Sequence, residues 1–492
     1  MTAIEIMAPA MFLALVVFLL IGLPVAFSLA ALGLASGFVA IELGLFPPQF
    51  MANLPYRVFG IISNELLLSI PFFTLMGAIL ERSGLAEDLL EGFAQLFGGL
   101  SGGLAYAVIV VGAILGAITG TVAASVIAMG VIALPIMQRY GYNPRLATGV
   151  IAASGTITQV IPPSLVLIVL ADQLGRSVGD MYLGAIGPSF AQTFIFLIFI
   201  FLVSVFSPRS MPPMPQADRV LRGWRLTKAV IRAVLPSMAL IFIVLGTIFM
   251  GIATPTEAGA MGVVGAIGLA AVHRRLTWPM VREAMETTMA ITVMVIFILI
   301  GATVFTLVFQ GVDGGLWVEH LFTSVGADDA VTFLIVVNIL IFFLAFFLDF
   351  FEIAFIVVPL LVPMANKLGI DLVWFGVLIC VNMQTSFMHP PFGFALFYLR
   401  GIAPRSIKTS DIYIGAIPWV GLQMLLVAIL IFFPQLATGL LDRPISGNLQ
   451  SFEIQIDQNE AGAEAQAQSS GAGPDAPGNP TADDPADYFK KK

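Results

Sequence analysis

Long apolar stretches separated by short polar or basic segments recur from the start of this chain to about residue 445. An α-helix of about 20 apolar residues crosses the hydrocarbon core of a bilayer, so each stretch predicts one membrane span. Hydrophobic residues form 59% of the 492 residues and charged residues only 11%, which agrees with this pattern. The pattern therefore predicts an all-α polytopic membrane protein surrounded by lipid bilayer.

Most basic residues lie in a few short loops. Short loops rich in lysine and arginine stay in the cytoplasm, so these loops predict the cytoplasmic face. Tracing the spans from them puts both termini on the opposite side. Fifteen of the 22 lysines and arginines lie in residues 208–232, 274–282 and 400–408 or at Arg82, Arg139 and Arg145.

Two spans, 233–250 and 257–272, fit between the first two basic loops, and the turn 251–256 between them faces outward. This turn leads into the sequence Thr254-Pro255-Thr256-Glu257, which is typical of a capping box with proline at the first helical position. We therefore interpret Glu257 as a helix cap rather than as a transport residue.

Turn-forming residues recur at constant spacings in the two halves of the chain. Because the first set follows a span that enters from the cytoplasm and its match follows one that enters from outside, the pattern predicts inverted-topology repeats. This architecture is typical of secondary transporters. Pro135, Gly141 and Pro162-Pro163 recur at one constant spacing as Pro363, Gly369 and Pro390-Pro391, and Asp180, Tyr182 and Gly184 recur at a slightly longer one as Asp411, Tyr413 and Gly415.

This repeat predicts the domain organisation. Residues 1–207 hold the N-terminal spans and the first repeat, 208–232 form a cytoplasmic basic connector, and 233–445 form the second repeat. Residues 446–492 turn to glutamine, glycine, alanine, serine, proline and aspartate, a composition typical of a disordered polar tail. No cleavable signal peptide is evident, and the single cysteine, Cys380, excludes an intrachain disulfide.

Each repeat contains an apolar segment whose pieces are too short to cross a bilayer. In residues 101–138 the pieces 104–118 and 126–138 are separated by Gly120, Thr121 and Ser125. Such pieces predict a re-entrant helical hairpin. Residues 331–364 predict the matching hairpin, with Asp349 and Glu352 at its tip.

Each hairpin precedes a span that is interrupted near its centre. The first interruption, Ser154-Gly155-Thr156-Ile157-Thr158-Gln159, is followed by Pro162-Pro163, and the second, Asn382-Met383-Gln384-Thr385-Ser386, by His389-Pro390-Pro391. Two prolines cannot continue the helical hydrogen bonds, and backbone freed in this way persists in a membrane only where it is buried in protein or lines a cavity. We expect both hairpin tips and both broken helices to meet near the midplane.

Freed carbonyls and hydroxyls at these interruptions are oxygen ligands suited to Na⁺, and no other metal or cofactor is expected. No lysine or arginine falls at this depth, so an anionic substrate would be held by polar side chains, half-helix N-termini and the sodium ions themselves. The sodium-binding candidates are Gly120, Thr121, Ser125, Ser154, Gly155, Thr156, Asp349, Glu352, Asn382, Thr385 and Ser386; the substrate-binding candidates are Thr158, Gln159, Gln384 and His389.

Asp349 and Glu352 lie in a run that contains seven phenylalanines, FFLAFFLDFFEIAF (342–355). A charged side chain at the bilayer centre costs about 2.5–3.5 kcal/mol on insertion scales, a cost that a bound cation offsets. A helix-capping role explains the same residues, because a carboxylate also accepts N–H bonds at a helix start. Both interpretations stay open for both carboxylates.

Four stretches carry a resemblance to a known family: IPFFTLMGAILERSGLAEDL (70–89), GYNPRLATGVIAASGTITQVIPPS (141–164), TPTEAGA (254–260) and FLDFFEIAF to HPPFGFALF (347–397). In this order they resemble the large membrane subunit of a tripartite ATP-independent periplasmic (TRAP) transporter. The resemblance implies a multi-pass protein of the bacterial inner membrane that imports organic acids with sodium by an elevator-type mechanism. It also implies a periplasmic substrate-binding protein and a small four-helix membrane subunit as partners. Within the family, the chain resembles the branch associated with 2-oxo acids and related monocarboxylates.

The residues argue against other classes of function. The sequence has no Gly-x-x-x-x-Gly-Lys phosphate loop and no His-Glu-x-x-His, which argues against ATP hydrolysis and zinc proteolysis. We therefore expect no enzyme and no nucleic-acid partner. A carboxylate transporter that needs no binding protein, or a channel built from inverted half-helices, remains an alternative.

Overall fold

A computed structural model describes residues 3–390 and 393–441. These residues form helices and no strands, and eight of the helices are long and apolar enough to cross a membrane, or nine if one bent pair counts as a span. This confirms the all-α polytopic fold. The predicted disordered tail, 446–492, lies outside the described residues.

The first half of the chain contains ten α-helices in the described residues. The bent pair is Pro48–Ile62 followed by Glu65–Arg82, at an angle of 44°. The helices are α1 (Ala3–Leu20), α2 (Val25–Glu42), α3 (Leu54–Ile62), α4 (Glu65–Arg82), α5 (Leu85–Phe97), α6 (Gly103–Thr119), α7 (Val122–Arg139), α8 (Pro144–Thr156), α9 (Leu165–Leu174) and α10 (Val178–Phe206).

The second half repeats this order. Its second hairpin arm starts with a single turn, α16, and continues through a π-helical turn, Ile353–Val357, into α17. The helices are α11 (Trp224–Phe249), α12 (Pro255–Val272), α13 (Trp278–Gly311), α14 (Gly314–Ser324), α15 (Ala330–Leu344), α16 (Phe350–Glu352), α17 (Val358–Lys367), α18 (Leu372–Met383), α19 (Phe394–Ile402), α20 (Thr409–Phe432) and α21 (Gln435–Thr438).

Helix boundaries and caps confirm the repeat. The second arm of the first hairpin, Val122–Arg139, corresponds to Phe350–Lys367 in the second hairpin. The first residues of these two segments, and also their last residues, are separated by the same spacing as the proline markers. Asn143 and Asp371, which match at the same spacing, both cap the helix that follows, and the glycines two residues before them both have positive φ. Packing has the same symmetry, because α2 packs against α13 while α12 packs against α4.

The helices form two packed groups. Helices α1–α4 pack with α11–α13, whereas α6–α10 pack with α15–α20. The groups meet where α4 and α11 contact α6, where α4 contacts α9, and where α13 contacts the tip of the second hairpin. The elevator movement of one group past the other stays a prediction.

The connector is folded against the first hairpin. Backbone N–H groups of Gly102 and Asn143 donate to the carbonyls of Met211 and Ser210 at 2.8 and 2.9 Å. The Tyr142 hydroxyl accepts from the N–H of Leu104, and burial raises the pKa of this phenol to about 12. Helix α11 begins at Trp224, within the range predicted as connector.

The turn after α11 contains the predicted capping box. Thr254 and Glu257 bond reciprocally at the start of α12, with Pro255 at the first helical position. This confirms the interpretation of Glu257 as a helix cap.

Polar contacts between distant segments join loops that the charge pattern assigns to the same side. On the predicted cytoplasmic side these contacts link Arg82 with Glu283, Arg139 with Asp218, Arg145 with Asp411 and Arg275 with Glu87. On the other side they link Lys367 with Glu319 and Arg57 with Gln310. The grouping of the loops therefore agrees with the fold, and the assignment of the cytoplasmic face stays a prediction.

Cysteine labelling tests that assignment. Val220 in the connector and Met250 in the opposite turn are 78% and 75% exposed, and the native Cys380 is buried. We expect an impermeant thiol reagent to label Met250→Cys in intact cells, and Val220→Cys only when it has access from the cytoplasm. The reverse pattern would overturn the orientation.

Candidate functional site

The first hairpin turns at Gly120 and Thr121. Gly120 adopts the left-handed conformation, with φ +61°, which a side chain would strain. Thr121 follows in extended conformation and makes no side-chain cap to α7. Ser125 lies buried one turn into α7. The hairpin predicted from the sequence is therefore present, with its tip at these residues. Its second arm is longer than the predicted piece 126–138, because α7 begins at Val122 and is one of the eight helices long and apolar enough to cross a membrane.

Glycines bring this hairpin against the first broken helix. A Cβ added at Gly112 would lie 2.6 Å from the Ser154 Cβ, and one at Gly116 would lie 2.9 Å from the Thr158 Cα. From the other side, a Cβ at Gly155 would lie 2.2 Å from a methyl of Val126 in α7. The first interruption is thus enclosed by both arms of the hairpin.

The first interruption is a 3₁₀ turn, Ile157–Gln159, at the end of α8. Ser164 then starts α9, since its hydroxyl accepts from the N–H of Val166 and donates to the carbonyl of Gln159. The hydroxyls of Ser154, Thr156 and Thr158 each donate to the carbonyl three residues earlier, at 2.8–3.0 Å.

The second interruption has the same construction. A 3₁₀ turn, Gln384–Phe387, follows α18, and the hydroxyls of Thr385 and Ser386 donate to the carbonyls three residues earlier at 2.7 Å. Asn382 differs, because its Nδ2 donates to both the carbonyl and the Oδ1 of Asn338 in the second hairpin, at 2.8 and 2.9 Å. This contact ties the second break to its hairpin.

The two breaks and the two tips lie together. Thr156 Oγ1 is 3.5 Å from the Met388 sulfur, and Cys380 Sγ donates to the carbonyl of Gln159 at 3.4 Å. At the second tip, the ring of Phe346 stacks on His389 with centroids 4.2 Å apart. Farther along the second arms of the hairpins, α7 packs on α19 just as α17 packs on α9.

Asp349 and Glu352 form a second capping box. Asp349 Oδ1 accepts from the N–H of Glu352, and Glu352 Oε2 accepts from the N–H of Asp349, both at 2.9 Å. The capping interpretation is therefore correct for both carboxylates. Within residues 3–390 and 393–441, neither makes an ion pair with a basic side chain. Capping and the binding of a cation by the same carboxylates are compatible.

Three buried amide oxygens near the breaks have no hydrogen-bond partner in the described part of the chain: Gln159 Oε1, Asn382 Oδ1 and Gln423 Oε1. The orientation of Asn382 is fixed, because its nitrogen faces two oxygens. An unpaired buried acceptor costs free energy, which a bound cation removes. The described residues contain no cluster of three or more histidine, cysteine or acidic side chains that could hold a metal ion. The unpaired amide oxygens of Gln159 and Asn382 are neutral, hard ligands of the kind that suits a cation such as Na⁺.

The substrate candidates differ in how fully they are bonded. The side-chain amides of Gln384 and Gln192 exchange two hydrogen bonds, at 2.6 and 3.0 Å, so both polar atoms of Gln384 are engaged. His389 is buried against Phe346, and its ring nitrogens make no hydrogen bond of acceptable geometry to the described residues. Thr158 is bonded to its own helix, while Gln159 keeps a free oxygen.

Sequence reasoning missed Gln192, Asn338 and Gln423. The signal for two of them was present, because Gln192 and Gln423 match at the spacing that relates Asp180 to Asp411, and both interrupt apolar spans. Asn338 has a valine at the matching position of the first hairpin, so the repeat gives no indication of it.

Comparisons with known proteins agree with this architecture. A model of the family "Tripartite ATP-independent periplasmic transporter, DctM component" matches residues 12–436. A C4-dicarboxylate TRAP transporter large permease protein from Pseudomonas aeruginosa is 30% identical over 402 residues, which are 82% of this chain and 92% of that protein. A 2,3-diketo-L-gulonate TRAP transporter large permease protein from Escherichia coli is 28% identical and covers 85% of this chain and 94% of its own.

Among solved structures, the Alcanivorax borkumensis YdaH transporter has a similar fold. The TM-score is 0.56 at 17% sequence identity, over 79% of this chain and 89% of that one. At this identity the similarity concerns the fold alone.

Proposed function

Because this chain belongs to the family of TRAP transporter large permease subunits, we propose that it imports an organic acid across the bacterial inner membrane together with sodium ions. The family is one of transporter permeases, and its large subunits work with a small membrane subunit and a periplasmic substrate-binding protein. In our proposal the small subunit has four helices, and the binding protein delivers the acid to the outer face.

One observation carries the sodium proposal. Around the two breaks the buried oxygens of Gln159 and Asn382 have no donor in the described residues, and the Asp349–Glu352 capping box has no basic partner there. A cation stabilises both a carboxylate pair and unpaired acceptors where water is absent. Sodium supplies it without the geometric demands of a transition metal.

The substrate proposal follows from the same charges. The described residues around the breaks include no lysine or arginine, so a carboxylate has to find positive charge at half-helix N-termini and at the bound cations. The substrates named for the two relatives above are both organic acids. We infer a carboxylate substrate, of which a 2-oxo acid is one candidate. Sodium and substrate are then coupled directly, because each supplies charge that the other needs.

Movement of the second helix group against the first would carry this site across the membrane. The site lies entirely within the second group, since hairpins and broken helices all belong to α6–α9 and α15–α19. The first group, α1–α4 with α11–α13, contacts it through few helices. An elevator mechanism needs this separation between a mobile group and a scaffold.

Reconstitution tests the proposal. We expect proteoliposomes that contain both membrane subunits to take up a labelled carboxylate only with an inward sodium gradient and the cognate binding protein, which selects the acid in a prior binding assay. Equal uptake with potassium in place of sodium would refute the coupling. Equal uptake without the binding protein would favour a self-sufficient transporter, and passive flux down any gradient would favour a channel.

A further inference from the structure

The two final helices of the repeats carry a matched pair of buried glutamines. Gln192 lies in α10 and Gln423 in α20, at matching positions of the repeat, and both are at most 1% exposed. Gln192 bonds to Gln384 in the second break, and Gln423 donates to Thr156 in the first break at 3.1 Å. Thr156 and Gln384 themselves match at the spacing of the proline markers. Each glutamine therefore reaches the broken helix of the opposite repeat.

Each final helix contacts both breaks. In α10, Ser189 donates to the carbonyl of Val160 after the first break at 2.8 Å, one turn before Gln192 reaches the second. In α20, Gln423 Nε2 donates to Thr156 and lies 3.9 Å from the Met388 sulfur after the second break. The relative position of the two breaks is thus set by two helices outside the interruptions.

The two glutamine contacts are unequal. Gln192 and Gln384 exchange two hydrogen bonds, so the amide oxygen and one N–H of each side chain are paired. Gln423 makes a single bond to Thr156, and its oxygen has no partner in the described residues. When the Thr156 hydroxyl donates its proton to the carbonyl of Ala153, its oxygen accepts from the Gln423 amide nitrogen.

We propose that Gln192 and Gln423 are positioning residues for transport, and that they divide the task. The Gln192–Gln384 contact holds the breaks together in every state of the protein. The Gln423–Thr156 contact sets the position of the Thr156 hydroxyl and of the first break when the ion binds. The transport measurement that tests this inference rests on the proposed sodium coupling, whereas the stability measurement does not.

Removal of each glutamine has different physical consequences. Gln192→Met keeps the length of the side chain but leaves the buried amide of Gln384 without a partner, which is a large penalty. Gln423→Met removes one bond, and Thr156 keeps its own bond to Ala153, so stability suffers less. It also frees Thr156 and Met388 from a shared partner, which changes the geometry at the first break.

The experiment compares both variants in the complete transporter. We expect Gln192→Met to lower the thermal unfolding midpoint clearly more than Gln423→Met does. We expect Gln423→Met to raise the sodium concentration for half-maximal uptake about fivefold or more, with little change in maximal rate, and to exceed the effect of Gln192→Met on this quantity. Thr156→Val is a third variant, which removes the hydroxyl while keeping the shape of the side chain.

A double-mutant cycle separates positioning from general destabilisation. If Gln423 acts through Thr156, then Gln423→Met combined with Thr156→Val shifts the half-maximal sodium concentration no further than Thr156→Val alone. Gln423→Met combined with Gln192→Met, which share no hydrogen bond, should give additive unfolding shifts. Additive sodium shifts in the first pair, or equal unfolding shifts for the two single variants, would overturn the proposal. Wild-type uptake without sodium dependence would instead refute the proposed coupling, and the unfolding comparison would still decide whether the two contacts are unequal.

Discussion

Gly415→Ala is expected to prevent assembly of the fold. A Cβ at this position would lie 2.2 Å from the carbonyl oxygen of Arg145, and one at Gly149 would lie 2.2 Å from the carbonyl of Gly415. Helices α8 and α20 therefore cross backbone to backbone, and no rotamer change can make room. Separation of the helices would also break the Gln423–Thr156 contact.

Gly421→Ala is the matched control, because it lies in the same helix and a Cβ there meets no atom within 4 Å. Alanine is favoured over glycine within helices by about 1 kcal/mol, so this variant should be as stable as the wild type or more so. Membrane abundance and the thermal unfolding midpoint of the purified protein measure both effects. Similar values for the two alanine variants would contradict the close crossing.

The sequence marks Gly415 as a position of the repeat, but it does not show why a glycine is needed there. The recurrence of Gly184 as Gly415 indicated an inverted repeat, and the structure explains it by close contacts of α10 with α18 and of α20 with α8. Periodicity and prolines likewise predicted the hairpins and the breaks, because each depends on residues close together in the chain. The capping roles could be predicted for the same reason.

Contacts between the repeats could not be predicted from the sequence. Gln192 meets Gln384 and Gln423 meets Thr156 only because helices far apart in the chain cross at the breaks, and a single polar residue in an apolar span does not indicate its partner. The same limit applies to Asn338. The short helices α5 and α14, outside the long apolar pattern, were also not predicted, because neither is long enough to cross a bilayer.

Asp349→Asn is expected to weaken sodium binding severely while the fold persists. Asparagine caps a helix about as well as aspartate, so the bond that Asp349 accepts from the N–H of Glu352 is kept. What is lost is one negative charge at a tip that has no basic partner within the described residues. A close charge pair at intermediate dielectric is worth up to about 4 kcal/mol. Half of this is already more than tenfold in affinity.

The chain contains its own control for this substitution. Thr254 and Glu257 also form a capping box, at the exposed start of α12, so Glu257→Gln removes a carboxylate charge from a capping box away from the breaks. Uptake by Asp349→Asn should need at least about tenfold more sodium for half-maximal rate, and its apparent substrate affinity should fall at limiting sodium, since coupling between two ligands is reciprocal. Glu257→Gln should match the wild type in both respects. If the sodium dependence of Asp349→Asn also matches the wild type at normal membrane abundance, Asp349 is a cap alone, and the cation is held by amide and backbone oxygens.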